Sequence, residues 1–136
     1  MQIHIDLRIS MLFQLKESIT TGFTPLEIKF YDVNSALLCS INYAGLDVYN
    51  TGNNAGYKFR HTDGAYVLRG AVTTEGTASS FSIKGNSPSD VLIDNMIYGS
   101  VGATNTLADI RFNTVRWSEN ANITLSDLTL SMPQGV

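Results

Sequence analysis

The chain carries few of the side chains that catalysis draws on, and their spacing limits what they can do. Its two histidines, His4 and His61, stand far apart, and its single cysteine is Cys39. Neither histidine belongs to a pair or a Cys-His set at zinc-ligand spacing, so no metal site is expected. His61, in Arg60-His61-Thr62-Asp63-Gly64, reads as a polar turn residue. Serine catalysis needs an exposed hydroxyl beside a base, and the sequence contains no Gly-x-Ser-x-Gly elbow to present one. Cys39 lies among Leu37, Leu38 and Ile41, a setting that keeps a thiol protonated and suits a small core residue. With one cysteine there is no intramolecular disulfide, and packing alone must hold the fold.

Asp90 and Asp94 flank Val91-Leu92-Ile93, and residues four apart on a strand share a face. Such a pair suits acid-base work on a sugar, or a calcium ion, but the outward face of a strand after the turn at Ser89 is the simpler account. Asp32-Val33-Asn34 and Asp63-Gly64 supply oxygen atoms without the twelve-residue pattern of a calcium loop. Gly99-Ser100-Val101-Gly102 lacks the Lys-Ser/Thr and the helix of a phosphate cradle. Tyrosine remains. Tyr43, Tyr49, Tyr57 and Tyr66 fall together near the middle of the chain. On a β surface a tyrosine stacks on sugars or anchors a protein contact through a rigid ring and a hydrated hydroxyl. These four are the expected interaction residues; an enzyme is not expected, nor any cofactor.

The elements that must position them are mostly strands. Leu7, Met11, Leu15 and Ile19 recur at helical spacing and predict one short helix over 6–20, preceded by an apolar arm over 1–5. Ile3, Ile5, Leu7 and Ile9 also alternate as a strand would. After Gly22 the period is two: Leu26, Ile28 and Phe30 alternate with Glu27, Lys29 and Tyr31. Strands follow over 36–43 and 46–49, then an Asn- and Gly-rich loop over 50–56. Asp63-Gly64 predicts a hairpin between the strand opened by Tyr57 and Phe59 and one over 65–73. Further strands run over 77–84 and from Val91 to Gly99, with a loop over 99–106. Ile110 and Phe112 continue toward Val115 and Trp117. The final strand changes phase at Ser126-Asp127, as a β-bulge produces. About eight strands with regular turns predict an all-β domain, an antiparallel β-sandwich or jelly roll over 26–132.

A length of 136 residues with 43% hydrophobic residues suits one domain with one core. Net charge is −3 and the nine basic residues are scattered singly, which leaves no stripe to track phosphates and disfavours nucleic-acid binding. Apolar runs such as Met11 to Phe13 fall far short of the roughly 18 residues of a membrane helix. The first residues alternate around Asp6 instead of following a basic segment with an apolar run, so no secretory signal is expected.

Four segments follow one another along the chain: Leu7-Arg8-Ile9 in the leading helix, Leu26-Glu27-Ile28-Lys29-Phe30-Tyr31-Asp32, Gly76-Thr77-Ala78-Ser79-Ser80-Phe81-Ser82-Ile83-Lys84, and Leu128-Thr129-Leu130-Ser131-Met132-Pro133. A short helix, an Ile-x-Phe-Tyr strand, a Gly-Thr-Ala-x-x-Phe-x-Ile segment and a last strand ending on Pro resemble small virion structural proteins of tailed bacteriophages. Residues 33–60 depart from that pattern, with the Asn-rich loop in place of a Pro-containing one. The resemblance implies a capsid decoration or cement protein with a β-sandwich or jelly-roll body, made in the host cytoplasm and resident in the virion. Its partners would be the major capsid protein and copies of itself as a homo-oligomer, with no nucleic acid, membrane or small-molecule substrate. Ile3 and Ile5 of the arm are the expected contact between subunits. The alternative is a carbohydrate- or receptor-binding β-sandwich module, as in a tail fibre, using the central tyrosines and the 50–56 loop.

Overall fold

Strand alternation sets the inside and outside of the first described element. In Leu26–Tyr31, Ile28 and Phe30 are wholly buried, while Glu27, Lys29 and Tyr31 lie on the other face. The computed structural model describes residues 26–50, 55–61, 63–86, 92–126 and 128–132, and no helix occurs among them. The expected arm over 1–5 and helix over 6–20 lie outside the described residues. The strands are β1 Leu26–Tyr31, β2 Leu37–Tyr43, β3 Gly45–Asn50, β4 Ala55–Arg60, β5 Val67–Ala71 and β6 Gly76–Thr77. They continue as β7 Ser80–Asn86, β8 Leu92–Ala103, β9 Ile110–Phe112, β10 Arg116–Trp117, β11 Asn122–Ser126 and β12 Thr129–Met132. The described residues are thus all-β, as their alternation predicts.

A five-stranded sheet has the order β2-β1-β7-β8-β9, a three-stranded sheet the order β12-β4-β3, and β5 pairs with β11 and β6 with β10. Pairing is antiparallel except between β8 and β9, which run parallel. A bulge joins two of these sheets. Phe30 faces Cys39 and Tyr31 faces Leu37, so Leu38 is the extra residue, and both Leu38 and Cys39 turn inward. The carbonyl of Leu38, released from the β1 ladder, accepts hydrogen bonds from the Thr73 N–H at 2.8 Å and the Thr73 hydroxyl at 3.2 Å. Cys39 and Val72 then bridge β2 to the end of β5. The approach is close enough to require Gly70: a Cβ there would sit 2.9 Å from the Ser40 carbonyl oxygen and 2.8 Å from Ile41.

Buried side chains from all four sheets form one core. Phe30, Phe112 and Trp117 meet edge to face, with ring centroids 5.1 to 5.8 Å apart. The Trp117 indole N–H donates to the Thr114 carbonyl at 2.9 Å, so burying the ring strands no polar group. Tyr43 meets Phe59 edge-on at 5.0 Å. Cys39 is fully buried, and burial pushes its thiol up to about 11.

Three local expectations change. The Asp63-Gly64 turn forms, with the His61 N–H donating to the Ala65 carbonyl at 2.8 Å and Gly64 at φ 88°. Its flanking strands do not make a hairpin, because both edges of β4 are taken by β3 and β12 while β5 pairs with β11. The expected loop over 99–106 is strand as far as Ala103; Gly99 and Gly102 are small because a Cβ at either would meet Asp109 or Thr106 at 2.5 Å. The phase change at Ser126-Asp127 is a change of sheet instead of a bulge, since β11 pairs with β5 and β12 with β4.

Candidate binding face

On the outward face of the five-stranded sheet, β1 presents Glu27, Lys29 and Tyr31, and β7 presents Ser80, Ser82 and Lys84. β8 adds Tyr98 and Ser100. The register sets Ser82 between Lys29 and Tyr98, and Ser80 between Tyr31 and Ser100. Short serines on the middle strand between long side chains on its neighbours leave a groove along β7. It comprises two adjoining depressions of about 350 and 220 Å³ that share Tyr31 and Ser82. The larger lies between Tyr31, Ser80 and Tyr98; the smaller ends on Glu27, Lys29 and Lys84. Ser82 is buried on the floor, and its hydroxyl donates to the Tyr31 phenol oxygen at 3.2 Å. Tyr98 is 74% exposed and Lys29 lies 3.7 Å from Glu27.

Two braced turns leave one end of the same sheet. β1 and β8 are both antiparallel to β7, so the turn after Tyr31 and the loop after Ala103 project from the same end. In the first turn the Asp32 carboxylate accepts the backbone N–H groups of Asn34 and Ala36, each at 2.8 Å, an Asx arrangement that leaves Val33 81% exposed. In the second the Asp109 carboxylate accepts the Ser100 N–H at 2.9 Å and its hydroxyl at 3.1 Å, while the Thr106 hydroxyl donates to the Ala103 carbonyl at 2.7 Å. Leu107, between these ties, is 96% exposed. This end therefore offers two apolar tips on turns held by their own hydrogen bonds.

The four tyrosines expected at an interaction surface divide. Tyr43 and Tyr57 are core residues, correcting the expectation that they face a partner: each stands two positions from a buried residue, Ile41 and Phe59 respectively. Burial drives the Tyr43 hydroxyl well above the usual tyrosine range. Tyr49 is partly exposed on β3. Tyr66 is half-buried; its hydroxyl donates to Asp47 at 3.1 Å, which pushes its ionisation upward, and the Lys58 ammonium lies 5.2 Å from its ring centre. Asp47 also accepts from the Arg60 Nε at 3.2 Å. Ile3, Ile5 and residues 51–54 of the Asn-rich loop lie outside the described residues, and so does Asp90 of the Asp90–Asp94 pair.

Tyr31 and Tyr98 are absent from the residues expected on sequence grounds. For Tyr31 a signal exists, since it is in phase with Glu27 and Lys29; for Tyr98 the signal is its pairing with Ser82, which only the fold supplies. His61 sits in its turn with Nδ1 3.2 Å from Asp63, whose carboxyl is held below its ordinary range first by the Ala65 N–H and then by His61. Among the described residues no three His, Cys, Asp or Glu side chains gather as a metal site would require, and no helix is long and apolar enough to cross a membrane. Comparison with family models, curated proteins and solved structures finds no match.

Proposed function

We propose that the chain is a virion structural protein of a tailed bacteriophage, a decoration or cement protein that docks on the shell of major capsid subunits and stabilises it. The observation that carries this reading is the sheet end bearing Val33 and Leu107. A nearly fully exposed leucine costs little to leave in water alone, but on a braced loop it also loses little freedom on docking, so more of its burial is retained as affinity. Two such tips at one end suit a shallow protein surface better than a substrate cleft. Two of the segments that carry the phage resemblance also pair directly, as β1 and β7. The body is, in this reading, a sandwich or jelly roll: Phe30 of β1 meets Trp117 of β10 and Tyr43 of β2 meets Phe59 of β4, so different sheets share one core. Ile3 and Ile5 join copies into a homo-oligomer, and weak contacts repeated over a shell add through multivalency.

The test is co-sedimentation of the full chain with undecorated tailed-phage shells, read together with the temperature at which the shells open. Saturable pelleting and a higher opening temperature are expected. A V33D/L107D double variant should unfold like the parent and pellet at least about tenfold more weakly. A parent chain that stays in the supernatant and leaves the opening temperature unchanged overturns the reading.

A further inference from the structure

We propose that β11 pairs edge to edge with β11 of a second copy of this chain, antiparallel and two-fold about Thr124. Among the described strands β5 alone is hydrogen-bonded to β11, so the other edge of Asn122–Ser126 carries backbone groups with no described neighbour. The register identifies those groups. The Val72 N–H donates to the Ala121 carbonyl at 2.9 Å, and the Val72 carbonyl accepts the Asn120 N–H at 2.8 Å, so the position before Asn122 is a hydrogen-bonded one. Alternation then turns the groups of Ile123 and Leu125 toward β5, and the N–H and C=O of Asn122, Thr124 and Ser126 away from it. The Ala71 carbonyl agrees: opposite Asn122, it accepts from the Cys39 thiol on β2 at 3.4 Å.

Self-pairing satisfies that edge without a mismatch. With Thr124 of one copy opposite Thr124 of the other, Asn122 falls opposite Ser126 and Ile123 opposite Leu125. The outward-directed backbone groups then all stand at hydrogen-bonded positions, where the two copies exchange N–H and C=O. On the exposed face hydroxyl meets hydroxyl and amide meets hydroxyl, cross-strand pairs that support a sheet. On the buried face Ile123 meets Leu125, which joins the two cores. The strand has none of the features that keep an edge single: it carries no charge, no proline and no bulge. Other terminal strands are guarded. β3 carries Asp47, β9 carries Arg111, β12 is followed directly by Pro133, and β2 and β5 bridge to each other at Cys39 and Val72. Any strand can add to an open edge, but a second β11 also matches this one position by position, and an isologous two-fold contact closes on itself instead of growing into a fibre. The contact rests neither on shell docking, which uses Val33 and Leu107, nor on Ile3 and Ile5.

The experiment is sedimentation velocity of the full chain, with variants at the two-fold. Thr124 is exposed, so T124K and T124E should unfold in urea as the parent does. Each sets like charges directly opposite one another and should weaken self-association at least about tenfold, whereas an equimolar mixture of the two should associate again as a heterodimer. Register is read by oxidation. Cα atoms at a hydrogen-bonded pair lie about 5.5 Å apart, within reach of a disulfide, so T124C should form a covalent dimer. N122C should not, since Asn122 of one copy lies about 13 Å along the strand from Asn122 of the other. An I3D/I5D variant separates this contact from the arm: it should remain dimeric. A parent that sediments as a monomer overturns the proposal, as does association that survives T124K or is abolished by I3D/I5D. Shell pelleting that persists in a monomeric T124K would leave shell docking standing whichever way the dimer falls.

Discussion

Tyr57 and Tyr98 sit on strands of the same all-β body and have opposite surroundings. Tyr57 on β4 stands opposite Val48 on β3 and two positions before Phe59, with no exposed surface of its own. Tyr98 on β8 stands opposite Ser82 and two positions before Ser100, with 74% of its surface open. Tyr43 follows the first pattern, beside Ile41 and against Phe59; Tyr31 follows the second, beside Lys29. A tyrosine takes the character of the face it shares, and the residues two before and two after it define that face more surely than its own type does. One pair of rings holds sheets together, and the other frames a groove.

The interior pair gives the largest expected effect. Replacing Tyr57 by Ala removes a ring packed among Phe59, Val48 and their neighbours, and should lower unfolding free energy by about 3–5 kcal/mol in urea denaturation. A loss below about 1 kcal/mol would mean that the ring is not interior and would erase the contrast with Tyr98.

Alkali probes the same interior without a mutation. In the unfolded chain the Cys39 thiol ionises near 9.0, whereas in the fold burial holds it protonated to about 11. Between those values the unfolded state binds fewer protons than the folded state, so stability is full below pH 9.0 and is lost as pH rises through about 11. The buried Tyr43 hydroxyl acts in the same direction at higher pH. Urea midpoints measured across this range should fall, and a C39A variant should fall less steeply; a flat profile would contradict a buried thiol.

The strands are legible in the sequence because burial imposes a period of two on it: the alternation from Leu26 to Tyr31 by itself divides inward from outward residues. Pairing is not legible. Asp63-Gly64 has the local chemistry of a hairpin turn and makes the turn, yet which strands then align is decided by edges already occupied on β4. The change of phase at Ser126-Asp127 has the same signature whether one strand bulges or two strands leave for different sheets. Part of the candidate face is within reach of sequence, since Tyr31 shares its side with Glu27 and Lys29. The groove itself depends on β7 lying between β1 and β8, a long-range fact that no window of sequence contains.

Tyr66 lies between the two extremes and should give an intermediate result. A Y66F variant keeps the ring beneath Lys58 and deletes only the hydroxyl that donates to Asp47, which retains Arg60 as a partner. The expected loss in urea denaturation is smaller than that of Y57A, because the hydroxyl and its partner are open to solvent. A larger loss would place Tyr66 with the interior set and move the boundary between the two groups.

The smallest expected effect on stability is that of Y98A, and it bears most directly on the comparison. The ring is mostly in water, and the strand beneath it is held by backbone pairing to β7 that does not involve the side chain. Removing the ring should therefore change unfolding free energy by no more than about 0.5 kcal/mol, even though the same substitution in the core would cost several times that. The measurement is the urea midpoint of Y98A beside that of the parent and of Y57A. A loss above about 1 kcal/mol would show that Tyr98 packs on the sheet as part of the structure. An unchanged midpoint leaves a large aromatic ring exposed at the wall of a serine-floored groove without a stabilising role, which is the condition for a residue kept for what it binds.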